Sequence, residues 1–231
     1  MIRTHLLTLS WDDGFAKSFT GIAKIHDEYK LRASLNVIAQ ACTPGAYTPA
    51  DEWHNAPTGS WELWNELASH GHEIGPHSWS HQNHKAIPIE EARSEIDRCL
   101  DAFERKLFGF KRGNAVYAMP FNASSEPVER HLARTVRAFR TGGPGVNPLP
   151  TADTVKLTCD SFGPGNCEAH LDECVDKWLK EKSGWLIYNT HGLDEEGWGP
   201  VTPGYVRKLY DRLLKLPHVG IVAPMEALRG V

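Results

Sequence analysis

The sequence lacks the features of several protein classes. No run of residues approaches the roughly 18 uncharged apolar residues of a transmembrane helix, and no Gly-x-Ser-x-Gly segment, which is typical of serine hydrolases, is present. Lysine and arginine (25) are outnumbered by aspartate and glutamate (29), so we expect no nucleic-acid partner and no membrane partner. There is no internal repeat and no low-complexity linker, which favours a single domain over residues 1–231.

The five cysteines include no C-x-x-C pair. We therefore expect free thiols, and we do not expect Cys159, Cys167 and Cys174 to form a thiolate metal site, although they lie close together in the sequence. The first residues lack the apolar core and the small-residue cleavage site of a signal peptide. This favours a cytoplasmic protein, although a secreted chain trimmed of its signal would have the same sequence.

Short apolar runs alternate with segments of helical length. Strands are predicted at Leu6–Ser10, Ala33–Ile38, Glu73–Pro76, Val116–Met119, Ala138–Thr141, Thr154–Thr158, Trp185–Asn189 and Val219–Val222. Helices are predicted at Lys17–Tyr29, Ser60–His70, Pro88–Leu107, Glu126–Arg137, Glu168–Lys182 and Pro203–Leu216. This alternation predicts an α/β fold with a mostly parallel sheet, either open or closed as a barrel, and functional residues beyond the carboxyl ends of its strands.

Three such strand ends carry chemically active residues. Asp12 and Asp13 follow the first strand in an Asp-Asp-Gly segment, which also suits a simple turn. His77 and His81 follow the third strand, and their spacing would place both imidazoles on one face if the segment forms a helical turn. One carboxylate and two imidazoles with coordination left open for water and substrate are typical of a catalytic zinc site.

Another histidine and several tryptophans are predicted at the same end of the sheet. His191 follows an apolar strand and precedes a glycine, which favours a general acid or base over a buried structural imidazole. Trp79 and Trp198 lie in loops of this face. Aromatic rings stack on the apolar faces of sugars, so these tryptophans favour a saccharide ligand, unless they merely fill the barrel mouth.

Five segments, in this order, resemble the motifs of the polysaccharide deacetylases with a NodB-homology domain, carbohydrate esterase family 4. The segments are Ser10-Trp11-Asp12-Asp13-Gly14, His77-Ser78-Trp79-Ser80-His81, Ala118-Met119-Pro120-Phe121-Asn122, Asp160-Ser161-Phe162 and the strand from Leu186 to His191. The resemblance extends from Leu6 to about Leu228 and implies a distorted (β/α)7-type barrel.

The resemblance also implies roles for the motif residues. Asp13, His77 and His81 would bind a divalent metal, with zinc the leading candidate and cobalt, manganese or nickel as alternatives. Asp12 would take a proton from the attacking water. The Phe121 N–H would bind the oxyanion.

The other implied roles concern proton donation and orientation. His191 would protonate the leaving group, and Asp160 would orient His191. The family's third motif begins with an arginine that orients the catalytic aspartate, but Ala118 stands at that position. Arg140, at the end of the next predicted strand, is the side chain that we expect to orient Asp12 in its place.

These expectations together predict a metal-dependent hydrolase that removes acetyl groups from an acetylated oligo- or polysaccharide. Two alternatives remain open. One is a metal-independent hydrolase of cyclic amides, of the allantoinase or imidase kind, and the other is a non-catalytic carbohydrate-binding relative. The kind of sugar and the oligomeric state do not follow from the sequence.

Overall fold

A computed structural model of the chain describes residues 3–49 and 51–230. Its strands are β1 (His5–Trp11), β2 (Ser34–Val37), β3 (Glu73–Pro76), β4 (Val116–Ala118), β5 (Ala138–Gly142), β6 (Val146–Asn147), β7 (Lys156–Ser161), β8 (Gly184–Thr190) and β9 (Val219–Ile221). Its α-helices are α1 (Ala16–Glu28), α2 (Trp61–Ser69), α3 (Ile89–Lys106), α4 (Glu126–Thr135), α5 (Cys167–Trp178), α6 (Pro203–Leu213) and α7 (Pro224–Arg229). None of the helices in these ranges is long and apolar enough to cross a bilayer.

The strands form a nearly closed barrel. Parallel pairing joins them in the order β3-β2-β1-β8-β7-β5-β4, with β9 parallel to β1 and the short β6 antiparallel to β8. The two ends of this path, β3 and β4, approach each other, since a Cβ added to Gly75 of β3 would lie only 3.4 Å from the Val116 carbonyl oxygen of β4. The predicted fold class, a distorted (β/α)7-type barrel of mostly parallel strands, is confirmed.

Side chains of β8 alternate between two apolar layers. Trp185 and Ile187 belong to the core inside the barrel, which α7 closes at one end, whereas Leu186 and Tyr188 pack with residues of the surrounding helices. All four side chains are almost completely buried. A strand buried on both faces is typical of a parallel sheet covered by helices.

Two features of the sheet differ from the sequence-based expectation. The strand predicted at Thr154–Thr158 is displaced, because β7 runs from Lys156 to Ser161. The two-residue strand β6 is too short to show the alternation of apolar and polar residues that predicts a strand. It is defined by its antiparallel pairing with β8. The displacement of β7 affects the site, as described below.

Candidate active site

A cavity of about 360 Å³ opens beyond the carboxyl ends of the strands. The ionisable residues that line it are Asp12, Asp13, Asp51, His54, His77, His81 and His191. Aromatic side chains of Trp53, Phe121 and Trp198 form part of its wall. The parallel sheet therefore collects residues that are distant in sequence, as expected for this architecture.

Both carboxylate oxygens of Asp12 accept hydrogen bonds from neighbouring side chains. Asn36 Nδ2 donates to Asp12 Oδ1 at 2.8 Å, and Arg140 Nη2 donates to Asp12 Oδ2 at 2.5 Å. Asp12 and Arg140 are both only 2% exposed. Burial opposes the charge of the guanidinium, but the adjacent Asp12 carboxylate raises the pKa of Arg140 above its ordinary value. The two side chains form a buried ion pair with a fixed geometry.

The position of Arg140 is explained by its strand register. Ala118 of β4 and Arg140 of β5 are direct partners in the parallel pairing, so both side chains lie on the same face of the sheet. The small side chain at position 118 leaves that space to the arginine. Arg140 Nη1 also donates to Asn122 Oδ1 and to Cys159 Sγ, at 2.5 and 3.0 Å. The structure thus places Arg140 beside Asp12, where the sequence-based hypothesis requires it.

Asp13 has a different environment, in which four imidazoles surround one buried carboxylate. His77 Nε2 and His81 Nε2 each lie 3.4 Å from Asp13 Oδ1. His54 Nε2 and His191 Nε2 lie 3.6 and 3.9 Å from Asp13 Oδ2. Burial raises the pKa of Asp13, but these imidazoles outweigh that effect and lower the pKa well below its ordinary value. The carboxylate therefore carries its negative charge in the folded protein.

His77 and His81 reach Asp13 from a segment that is not helical. Ser78 and His81 adopt positive φ values of 68° and 60°, so the helical turn considered from the His-x-x-x-His spacing is wrong. His77 Nδ1–H donates to the Ala118 carbonyl at 3.0 Å, which directs Nε2 toward the carboxylates. The segment is held by Glu95, which accepts hydrogen bonds from the Ser80 N–H and Oγ–H, both at 2.8 Å.

The donors around Asp13 fit a divalent metal ion. Asp13 Oδ1 is buried and has no hydrogen-bond partner among the described residues. Burial lowers the pKa of His81 to about 3, whereas for His54 the Asp13 and Asp51 carboxylates outweigh burial and raise the pKa to about 9. One ligand atom from each of Asp13, His54 and His81 lies within 4.8 Å of the other two. Imidazole nitrogen and carboxylate oxygen are common zinc ligands.

His191 lies at the site, but Asp160 does not. The ring of His191 packs edge-on against Trp198, with 5.7 Å between centroids, and its Nδ1 has no hydrogen-bond partner in the described part of the chain. Asp160 instead accepts a hydrogen bond from the Ser161 N–H and lies near Cys174 of α5. The expectation that Asp160 orients His191 is therefore wrong. Because β7 continues to Ser161, alternation turns Ser161 toward the cavity and Asp160 away from it.

Two of the three predicted substrate-binding residues lie at the cavity, and the third does not. Trp198 and Phe121 line the cavity. Phe121 has φ of 56° and is 53% exposed, and its ring centroid lies 4.7 Å from that of His81. Trp79 is not a cavity residue, because its ring packs against the core and under the Arg98 guanidinium, 4.5 Å from its centroid. Its expected role in sugar stacking at this cavity is a wrong prediction.

Sequence reasoning missed Asn36, Asp51, Trp53 and His54. The last three lie in the long segment between β2 and α2, which has no apolar period and matches none of the motifs. The only signal was their residue types, and histidines and tryptophans are frequent in this chain (12 and 8). Asn36 belongs to β2, where its side chain also donates to Ser10 Oγ at 2.9 Å.

Comparison with known proteins gives a family match and a set of similar structures. A family model described as "Polysaccharide deacetylase" matches residues 3–138, which is more than half of the chain. The matched stretch includes Asp12, Asp13, His77 and His81 but ends before Arg140 and His191. A search of the curated proteins finds no match.

Solved structures with similar folds include three of carbohydrate esterase family 4. The Xyl-CE4 domain of a multidomain xylanase from the hindgut metagenome of Trinervitermes trinervoides has a TM-score of 0.65 and 14% identity, covering 98% of this chain and 90% of that one. A family 4 acetyl xylan esterase from Clostridium thermocellum, in complex with a cobalt ion, has a TM-score of 0.65 and 18% identity, with coverage of 98% and 92%. A family 4 pseudoenzyme from Bacillus anthracis has a TM-score of 0.61 and 12% identity, with coverage of 98% and 66%. At these identities, the likeness concerns the fold.

Proposed function

This chain belongs to the polysaccharide deacetylase family, and on that premise we propose that it is a metal-dependent hydrolase that removes N- or O-acetyl groups from a saccharide. One observation carries the proposal. Two adjacent carboxylates at the floor of the cavity have different partners, since Asp12 is held by an arginine and an asparagine, and Asp13 is surrounded by four imidazoles. This division suits one carboxylate for proton transfer and the other for metal binding.

Asp12 is the general base in this proposal. Its two oxygens are fixed by Asn36 and Arg140, and the residue lines the cavity in which the substrate and the attacking water would lie. A base held in one orientation can accept the proton of that water without reorganisation. Arg140 acts as a positioning residue in place of the motif arginine, through its ion pair with Asp12.

Asp13, His77 and His81 would hold the metal ion, with His77 oriented by the Ala118 carbonyl. A divalent ion supplies Lewis acidity, which polarises the acyl carbonyl and lowers the pKa of water from 15.7 toward about 7. Zinc is our leading candidate because the donors are nitrogen and oxygen atoms. The acetyl xylan esterase with the similar fold was solved with cobalt, which supports a divalent ion in this barrel.

His191 is the proposed general acid, and the Phe121 N–H the proposed oxyanion donor. The side chain of His191 is 13% exposed, so it can reach a leaving amine or alkoxide from the cavity wall. Among the hydrogen bonds of residues 3–49 and 51–230, none is donated by the Phe121 N–H. A free backbone donor at a reaction site can contribute roughly 3–4 kcal/mol of oxyanion stabilisation.

The substrate class follows from the aromatic wall of the cavity. Trp53, Phe121 and Trp198 offer ring surface beside the ionisable floor, and such rings stack on the apolar faces of sugars. We therefore propose an acetylated oligo- or polysaccharide as substrate. Two of the similar structures are the Xyl-CE4 domain of a multidomain xylanase and an acetyl xylan esterase, so acetylated xylan belongs in the first panel of substrates.

The test is acetate release from acetylated xylan and from N-acetylated glucosamine oligomers, by protein stripped with a chelator and then reloaded with one equivalent of zinc. We expect acetate only from the reloaded protein. Hydrolysis of hydantoins or cyclic imides by the stripped protein, without acetate release from any glycan, would contradict the proposal and favour a cyclic-amide hydrolase. Binding of glycans with no hydrolysis at any metal content would favour a non-catalytic relative.

A further inference from the structure

The segment between β2 and α2 brings a histidine to Asp13 that none of the family-like motifs contains. His54 Nε2 lies 3.6 Å from Asp13 Oδ2, and the His54 side chain is only 3% exposed. We propose that His54 is an additional ligand of the metal ion and that Asp51 holds it in the ligating orientation. This inference rests on the metal dependence proposed above.

The distances around Asp13 favour a shared ion over direct hydrogen bonds. The three shortest contacts between an imidazole nitrogen and Asp13, those of His77, His81 and His54, measure 3.4, 3.4 and 3.6 Å. An N–H···O hydrogen bond is normally 2.7–3.2 Å long. Two ligands bound tetrahedrally to one zinc ion at about 2.0–2.1 Å are roughly 3.4 Å apart. The spacing of His54 from Asp13 is therefore close to that of two ligands on one ion.

Buried polar atoms without partners support the same conclusion. His54 Nε2 and Asp13 Oδ1 both lack a hydrogen-bond partner within the described ranges. A buried polar atom without a partner costs about 1–3 kcal/mol, and His54 Nε2 lies 3.6 Å from the other oxygen of the same carboxylate, Asp13 Oδ2. The ring centroids of His54 and His81 are only 4.8 Å apart, so His54 lies against a proposed ligand as well as against Asp13.

Asp51 gives His54 the support that metal-bound histidines typically have. His54 Nδ1–H donates to Asp51 Oδ1 at 2.8 Å, and the Trp53 N–H donates to the same oxygen at 3.0 Å. With Nδ1 donating to Asp51, Nε2 is the ring nitrogen directed toward Asp13. A carboxylate behind a ligating histidine fixes its tautomer and ring orientation.

The position of the segment does not depend on His54 alone. Asn55 Nδ2 donates to the Glu195 carbonyl at 2.9 Å, and the Gly197 N–H donates to Asn55 Oδ1 at 3.1 Å. These two bonds tie the segment to the loop that follows β8. Asn55→Ala is therefore a matched control, because it removes these two bonds and keeps both the imidazole of His54 and its hydrogen bond to Asp51.

The experiment is zinc X-ray absorption spectroscopy on the full-length protein loaded with one equivalent of Zn²⁺. We expect three imidazole ligands in the wild type, two in His54→Ala and three in Asn55→Ala. Competition with a chelator should show the zinc affinity of Asp51→Asn reduced by about 10–100-fold, that of His54→Ala reduced at least as much, and that of Asn55→Ala nearly unchanged. If His54→Ala does not fold, the zinc affinity of Asp51→Asn tests the inference, because this variant retains the imidazole of His54.

The outcomes separate this inference from the proposed function. Zinc bound with the same number of imidazoles in the wild type and in His54→Ala would overturn the ligand role of His54 and leave the metal dependence intact. A sulfur ligand in the spectrum would place the ion instead at the separate group of Asp160, His170 and Cys174 and would also overturn it. A wild-type protein that holds no zinc would remove the inference and the proposed metal dependence together.

Discussion

Asp12 and Asp13 are adjacent in the sequence and similarly buried, but most of their neighbours differ. His77 Nε2 lies near both, at 3.7 Å from Asp12 Oδ2 and 3.4 Å from Asp13 Oδ1. Both oxygens of Asp12 accept hydrogen bonds of 2.5–2.8 Å from other side chains. Around Asp13, the imidazole nitrogens of His54, His77, His81 and His191 stand at 3.4–3.9 Å. Each oxygen of Asp12 thus accepts a hydrogen bond from a side chain of the protein. The imidazole nitrogens around Asp13 lie beyond the normal hydrogen-bond distance.

The difference shows how a single turn can support two kinds of chemistry. Asp13 has φ of 78°, a left-handed conformation that non-glycine residues rarely adopt. That reversal sends the two side chains in different directions, Asp12 toward β5 and Asp13 toward the histidines. Backbone strain of this kind is common at functional sites, and here it separates the proposed proton acceptor from the proposed metal ligand by one residue.

Replacing Asp12 should have the largest effect on activity. Asp12→Asn preserves the shape of the side chain but removes the charge and the ability to accept a proton. We expect kcat for acetate release to fall by about 10²–10⁴-fold, with bound zinc retained. Zinc content and kcat measured on the same preparation check this prediction, and an active Asp12→Asn protein would remove the distinction between the two carboxylates.

Arg140→Lys tests whether Arg140 orients Asp12, and we expect a smaller loss of activity than for Asp12→Asn. Lysine keeps the positive charge but not the planar fork that reaches Asp12, Asn122 and Cys159 together. We expect kcat to fall by about 10–100-fold with little change in zinc content. Steady-state kinetics at saturating substrate provide the measurement. A change in zinc content as large as the change in kcat would mean that Arg140 supports the Asp13 side as well.

His26 offers a comparison outside the site, and its effect should be the smallest. It is 2% exposed, its Nδ1–H donates to the Ile22 carbonyl, and its Nε2 accepts from the Tyr210 hydroxyl, both at 2.8 Å. Burial lowers the pKa of His26 from 6.5 to about 4. Between these values the unfolded chain binds more protons than the folded protein, so the contribution to stability is present above pH 6.5 and is lost as the pH falls toward 4.

For His26→Gln this pH-dependent contribution disappears. We expect the difference in free energy of unfolding between the wild type and the variant to shrink by about 1 kcal/mol from about pH 7.5 to about pH 5.5. Urea denaturation of both proteins at the two pH values measures it. Parallel pH dependence of the two proteins would show that burial does not lower the pKa of His26.

Much of the barrel could be predicted because its signals are local. The apolar runs of β1, β3 and β8 and the alternation of strands with helices place Asp12, Asp13, His77 and His191 at one end of a parallel sheet. The rule that function collects at the carboxyl ends of such strands requires no knowledge of side-chain contacts. The pairing of Arg140 with Asp12 could be anticipated for the same reason, since both residues lie at strand ends.

The sequence-based predictions of the site failed where the position of a residue depends on strand register or on a contact between segments distant in sequence. Ending the predicted strand at Thr158 placed Asp160 in a loop, whereas the pairing of Ser161 with Asn189 keeps Asp160 in β7 and on the outer face. His54 and Asp51 could not be placed, because the contacts of their segment are with the turn after β1 and with the loop after β8. Residue patterns do not encode such contacts.

The central claim is that Asp12 transfers protons and Asp13 binds the metal. It is tested most directly by the zinc content of the wild type, Asp12→Asn and Asp13→Asn after loading with excess zinc and gel filtration. We predict one bound ion in the wild type and in Asp12→Asn, and none in Asp13→Asn, with all three proteins folded by circular dichroism. Loss of zinc from Asp12→Asn, or full retention by Asp13→Asn, would contradict the division of roles.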